Sequence, residues 1–172
     1  IGENPCIILK DDPDGPITGI GHFFRVIGSP KGSGIVAIIM RSAQATSPAG
    51  PDDNVCVTDN REVADYIIEN YAELFGSFKG TDVRERLTFK ELTHSEIRNQ
   101  WPSEYAEIVE ADGYRAEFVW RTMDTPIVCV FPASDSGIPG QRMISTLVPS
   151  KDASLLVNGS ECAGKLFEQE TL

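Results

Sequence analysis

Apolar residues in this chain come in short runs, and clusters of Pro, Gly, Asp, Asn and Ser separate them. Residues 6–9 form a first run, ended by Asp11-Asp12-Pro13-Asp14-Gly15-Pro16, a turn by composition. Residues 17–27 read as a strand and residues 35–40 as a second, continuously apolar one, so that pair predicts a hairpin whose second strand is buried on both faces. Residues 42–54 are rich in Ser, Ala, Pro, Gly and Asp and predict a loop.

Only residues 59–75 carry a clear helical period. Val63, Ile67, Tyr71 and Leu74 recur at that spacing. Asp59 and Glu62 have the spacing of a capping box, and Gly76 fits a C-terminal stop. From Arg86 onward strand patterns dominate. Residues 87–97 alternate imperfectly. Residues 105–110 and 114–121 flank Asp112-Gly113, a strong hairpin signal. Residues 127–131 read as a buried strand, residues 143–148 as a further strand, and Asn158-Gly159 turns residues 155–157 into 162–167.

The pattern predicts a mainly β chain: an antiparallel β-barrel or sandwich of about nine or ten strands with one packed helix at 59–75. No composition shift marks a second domain, so residues 1–172 are expected to form a single barrel-like unit.

Charge narrows the partners. Fifteen basic and 26 acidic residues leave a net charge of −11. Such a surface repels phosphate backbones and anionic lipid, so neither nucleic acid nor membrane is expected as a partner. The four cysteines (Cys6, Cys56, Cys129 and Cys162) form no C-x-x-C pair. They read as buried small hydrophobes in a cytoplasmic protein, with two disulfides in a secreted protein as the alternative.

No phosphate loop, dinucleotide fingerprint, G-x-S-x-G elbow or H-E-x-x-H is present, and two histidines are too few for a multi-histidine metal site. No cofactor and no metal are therefore expected. Candidate chemistry falls to single side chains. His22 shares a strand face with Phe24 and Val26, and is either a core histidine or a general acid/base in a pocket. His94 and Glu96 lie two apart, so a carboxylate would sit beside the imidazole. With His22 they form the expected catalytic set.

Tyr114, Ala116, Phe118 and Trp120 share one face of their strand, and Arg115, Glu117, Val119 and Arg121 share the other. The charged face is either a solvated cross-strand ladder or, in a polar lumen, a grip for a carboxylate ligand. Arg25, Arg115, Glu117, Trp120 and Tyr114 are the expected substrate-binding residues. Two functions use such a pocket. One is a cofactor-independent enzyme of isomerase, cyclase, lyase or decarboxylase type. The other is a non-catalytic binder of a hydrophobic or acidic metabolite. A third is an assembly partner that uses an exposed strand edge or apolar patch, including a homo-oligomer.

Overall fold

A computed structural model describes residues 2–41, 50, 52–74, 78, 83–135, 140 and 142–167. Its strands are β1 (Cys6–Lys10), β2 (Ile17–Val26), β3 (Gly34–Met40), β4 (Asn54–Thr58), β5 (Thr88–Glu91), β6 (His94–Gln100), β7 (Glu104–Ala111), β8 (Tyr114–Met123), β9 (Ile127–Phe131), β10 (Met143–Leu147), β11 (Ser150–Val157) and β12 (Ser160–Glu161). Helix α1 (Arg61–Asn70) runs into a 3-10 turn at Ala72–Leu74, and a short α2 (Val83–Arg86) precedes β5.

Two five-stranded sheets pack face to face. The first has the order β1-β2-β3-β4-β5 and the second β12-β11-β8-β7-β6. The expected mainly β architecture is what forms, as a sandwich and not as a closed barrel. The inner faces alternate inward in the usual period of two and bring Ile7, Phe23, Ile39, Val57, Phe118 and Leu155 into one core. Gly21 lies where the sheets come closest: a Cβ there would meet the Phe118 ring at 2.8 Å. The opposite face of the first sheet carries Phe24, Val36, Ile38 and Cys56, which α1 covers with Val63, Ala64, Ile67 and Ile68. Strand β3 is thereby buried on both sides, as its unbroken apolar run predicts.

Helix α1 starts later than the sequence suggests. Asn60, not Asp59, is the N-cap, and its side-chain oxygen accepts from the Val63 N–H at 3.3 Å. The Asp59 carboxylate instead accepts from the Ile35 N–H at 2.8 Å, which ties the helix entry to β3. Phe75 and Gly76 lie outside the described residues, as do most of the expected 42–54 loop and part of the 132–140 loop.

Two further departures concern pairing. Strand β4, which sequence patterning leaves unassigned, pairs antiparallel with β3 and parallel with β5, so β4-α1-β5 is a crossover unit within an otherwise antiparallel sheet. The expected continuous strand at 87–97 breaks at Leu92-Thr93, where the chain passes between sheets: the Leu92 N–H donates to Thr58 O at 2.9 Å and the Thr93 N–H to Glu110 O at 2.8 Å. The other margin of the sandwich is joined by Lys10 and Lys165, which exchange two backbone hydrogen bonds of 3.0 and 2.8 Å.

Strands β9 and β10 join neither large sheet. They pair only with each other, Ile127 opposite Leu147 through to Phe131 opposite Met143. They extend from the place where β8 and β11 are still paired at Met123 and Ser150.

Candidate functional site

The expected catalytic set is dispersed. His22 stands on the helix-covered face of the first sheet, its ring stacked 4.1 Å from Phe24 and 6.1 Å from Phe78. Burial lowers its pKa to about 4, against the opposing effect of a backbone hydrogen bond to Asn4. It is therefore a neutral packing residue at pH 7. His94 and Glu96 are exposed on β6, at the margin of the other sheet. The first sheet lies between them and the His22 ring, so no pocket can hold all three.

Arg25 and Trp120 do come close to one another's neighbourhood, around a carboxylate that the motif search missed. Glu107 faces into the inter-sheet core and its side chain is wholly buried. Arg25 reaches across from β2 and donates to Glu107 Oε2 at 2.8 Å, while its Nε donates to Glu3 at 3.1 Å. The Tyr105 hydroxyl donates to the other Glu107 oxygen, and the Tyr105 ring lies 6.0 Å from Trp120. The Trp120 indole N–H donates to Cys6 O at 3.4 Å. Burial pushes Glu107 up, and the Tyr105 hydrogen bond and the Arg25 charge oppose it. Both carboxylate oxygens are engaged by protein groups, so the arrangement joins the two sheets. Its signal was available: Tyr105, Val109 and Ala111 share the parity of Glu107, which places a charge on an apolar face that must find a partner.

Arg115 and Glu117 lie on the outer face of the second sheet, in a continuous ladder. Arg115 pairs with Glu110 and with Glu117 at 3.1 Å. Arg98 joins Glu117 at 3.5 Å to Glu104 at 3.0 Å. Arg121 spans Glu104, Ser154 and Asp152. The stems of these side chains lie over Ala106, Ile108 and Val119, which are buried on this outward face. The solvated-ladder form of this strand is the one observed. A carboxylate ligand would have to displace carboxylates already in place.

Tyr114 packs into the inter-sheet core at the far end of β8. Its hydroxyl is buried and has no hydrogen-bond partner among the described residues. The Lys90 ammonium lies 5.5 Å from the Tyr114 ring centroid and pairs with Asp52 at 3.0 Å. Cys162 is buried nearby and accepts a hydrogen bond from the Arg41 side chain; burial raises its thiol pKa despite that cation. All four cysteines are unpaired, and Cys6 is exposed, in contrast to the expected burial. Among the described residues no group of three His, Cys, Asp or Glu side chains converges as a metal site. No described helix is long and apolar enough to cross a membrane.

The most unusual surface belongs to the β9–β10 hairpin, whose first strand the sequence pattern marks as buried. Nine large apolar side chains are exposed among the described residues, and six of them lie here: Ile127, Val128, Val130, Ile144, Leu147 and Val148. Val128, Val130 and Ile144 share one face with Thr146 and are 66, 50 and 64% exposed. The opposite face carries Cys129, Phe131, Met143 and Ser145, half-buried, and Ile127 and Leu147, which are 53 and 40% exposed. An unbroken apolar run looks the same whether its faces are covered by the same chain or await something else, and that ambiguity explains the misplacement.

Compared with protein families, with curated proteins and with solved structures, the chain has no significant match.

Proposed function

We propose that this protein is an assembly module that docks through the β9–β10 hairpin, and that its sandwich is the platform that presents the arm. The exposed β-branched face of Val128, Val130 and Ile144 carries this reading. Contiguous apolar surface on this scale marks an interaction site. A lone two-stranded hairpin is marginal in water, so this one gains order from whatever it meets. The dispersed histidines and the fully paired arginines give no competing centre of chemistry.

A second reading keeps the metabolite-binding or cofactor-independent enzyme function. One observation favours it: the Tyr114 hydroxyl, beside Lys90 and Cys162, has no hydrogen-bond partner among the described residues. Buried polar groups are rarely left unsatisfied, and a small polar ligand would satisfy this one.

Native mass spectrometry of the purified chain separates the two. Docking predicts protein-sized mass increments that vanish in the double variant V128D/I144D. A small mass retained by the wild type and lost in Tyr114→Phe would favour the second reading. An apolar fluorescent dye that binds the wild type and V128D/I144D equally would remove the hairpin from the function.

A further inference from the structure

We infer that Thr122 and Ser150 form a cocked hinge at the root of the β9–β10 arm: Ser150 holds Thr122 in a strained backbone conformation, and that conformation aims the arm away from the sandwich. The inference rests on the docking role proposed above for its purpose, since an arm that must meet a partner has to leave the sheets in a set direction. Thr122 is the penultimate residue of β8 and has a φ of 54°. A β-branched residue in the left-handed region is an outlier, because its Cβ crowds the following carbonyl oxygen. Asn158 also has positive φ, but it sits in a turn, where its side chain tolerates that conformation. Thr122 has no turn to require it.

The hydrogen bonds show what the strained residue does. In an extended strand, successive N–H groups point to opposite neighbours. Here the Thr122 N–H donates to Ser103 O and the Met123 N–H to Pro102 O, both at 3.0 Å and both on the β7 side. The Asp124 N–H then turns back to Pro149 O at 2.8 Å. The β8–β11 register passes from Arg121–Asp152 to Met123–Ser150 with no Thr122–Lys151 pair. The strand is thus twisted where the arm departs. Strain of this kind persists only where the surroundings over-determine it. The Ser150 hydroxyl supplies one side of that constraint: it accepts from the Arg121 N–H at 3.1 Å and donates to Arg121 O at 2.7 Å. Its oxygen also lies 2.7 Å from Asp152 O, so one side chain spans both strands. The peptide before Thr122 is pinned by Ser150, and the peptide after it by Pro102. Without the hydroxyl, residue 122 returns to an extended conformation and the arm turns with it.

Nuclear magnetic resonance of the full, isotope-labelled chain tests this. A positive φ brings a residue's own amide proton close to its Hα, so the intraresidue Overhauser effect at Thr122 should be strong in the wild type. It should weaken in Ser150→Ala and return in Ser150→Thr, which restores the hydroxyl. Residual dipolar couplings of the β9 and β10 amides should fit the alignment frame of the sandwich in the wild type and in Ser150→Thr, and depart from it in Ser150→Ala. Urea denaturation adds a thermodynamic check. Thr122→Gly should raise the folding constant roughly fivefold in the wild type, and by less than about twofold beside Ser150→Ala, where the strain is already gone. If Ser150→Ala does not fold, Ser150→Cys takes its place, since a thiol is a much weaker donor. A weak Overhauser effect in the wild type, couplings unchanged by loss of the hydroxyl, or an equal gain from Thr122→Gly in both backgrounds would overturn the inference. The dye comparison of the wild type with V128D/I144D bears on docking alone: equal signals remove that role and leave the hinge standing on its own measurements.

Discussion

A histidine packed against aromatic rings leaves a mark on how this protein responds to acid. The His22 imidazole is held neutral at a pKa of about 4 in the folded chain, against 6.5 when solvated. Below pH 6.5 the unfolded chain therefore takes up a proton that the folded chain refuses. Stability falls as pH drops from 6.5 to 4, by at most about 1.4 kcal/mol per pH unit from this residue. Urea denaturation at pH 7, 5.5 and 4.5 should show that slope in the wild type, and a shallower one in His22→Leu. The Arg25–Glu107 pair makes a second expectation. Arg25→Ala leaves a buried carboxylate without its cation and should cost about 3 kcal/mol in the same assay. Arg25→Met combined with Glu107→Leu should recover most of that loss, because removing both charges removes the desolvation penalty too. A double variant as unstable as the single one would mean that Glu107 serves something other than joining the sheets. Period-two parity was enough to place His22 beside Phe24 and to put Tyr114 and Trp120 in the core. Parity said nothing about how far apart His22 and His94 would finish, since that depends on which sheet each strand enters.

Among the elements, those set by local chemistry were the most legible. Asp112-Gly113 and Asn158-Gly159 turn their hairpins where the sequence indicates, with Gly113, Asn158 and Gly159 all at positive φ. Elements set by distant partners were not. Strand β4 is five residues with no turn signal of its own, and its parallel neighbour β5 arrives only after a helix. Both strands of the β9–β10 hairpin are legible, but the apolar run of β9 points to a burial it does not have, because periodicity reports what a segment can bury and not whether this chain supplies the cover. The arm is also separable. Met123 and Ser150 remain opposite one another, and Asp124 N–H donates to Pro149 O at 2.8 Å, so β8 and β11 already form the base of a hairpin without it. Replacing residues 125–148 by Asn-Gly, between Asp124 and Pro149, should therefore keep the thermal midpoint within a few degrees of the wild type, as followed by circular dichroism. A collapse of the fold in that variant would make the arm part of the core after all.

For the whole molecule, the decisive property is that two flat sheets are closed at both margins without becoming a barrel. On the β1 margin the closure is a main-chain bridge, in which the Lys165 N–H donates to Lys10 O at 2.8 Å, and beside it the Thr18 hydroxyl donates to Ala163 O at 2.8 Å. Lys165→Pro removes that donor and should cost about 1–3 kcal/mol, while Lys165→Ala should be nearly neutral in denaturant titrations. If both substitutions cost the same, the side chain and not the bridge holds this margin. The proline variant should also aggregate more readily, since it uncovers a strand edge. The mainly β character, the acidity and the one longer helix were legible in the sequence, whereas twelve strands form where about nine or ten were expected. The pairing of the two sheets was not, because it follows from long-range contacts that no local window contains.

The division of strands between the sheets has a consequence for the order in which the protein is made. All five strands of the first sheet come from residues 6–91, and all five of the second from residues 94–161. On the ribosome, α1 can settle onto its side of the first sheet while the other side waits for strands that do not yet exist. At ordinary elongation rates that wait lasts on the order of ten seconds. During it Phe23, Ile39 and Val57 face solvent or a chaperone, and the nascent chain is most vulnerable just before its second half emerges.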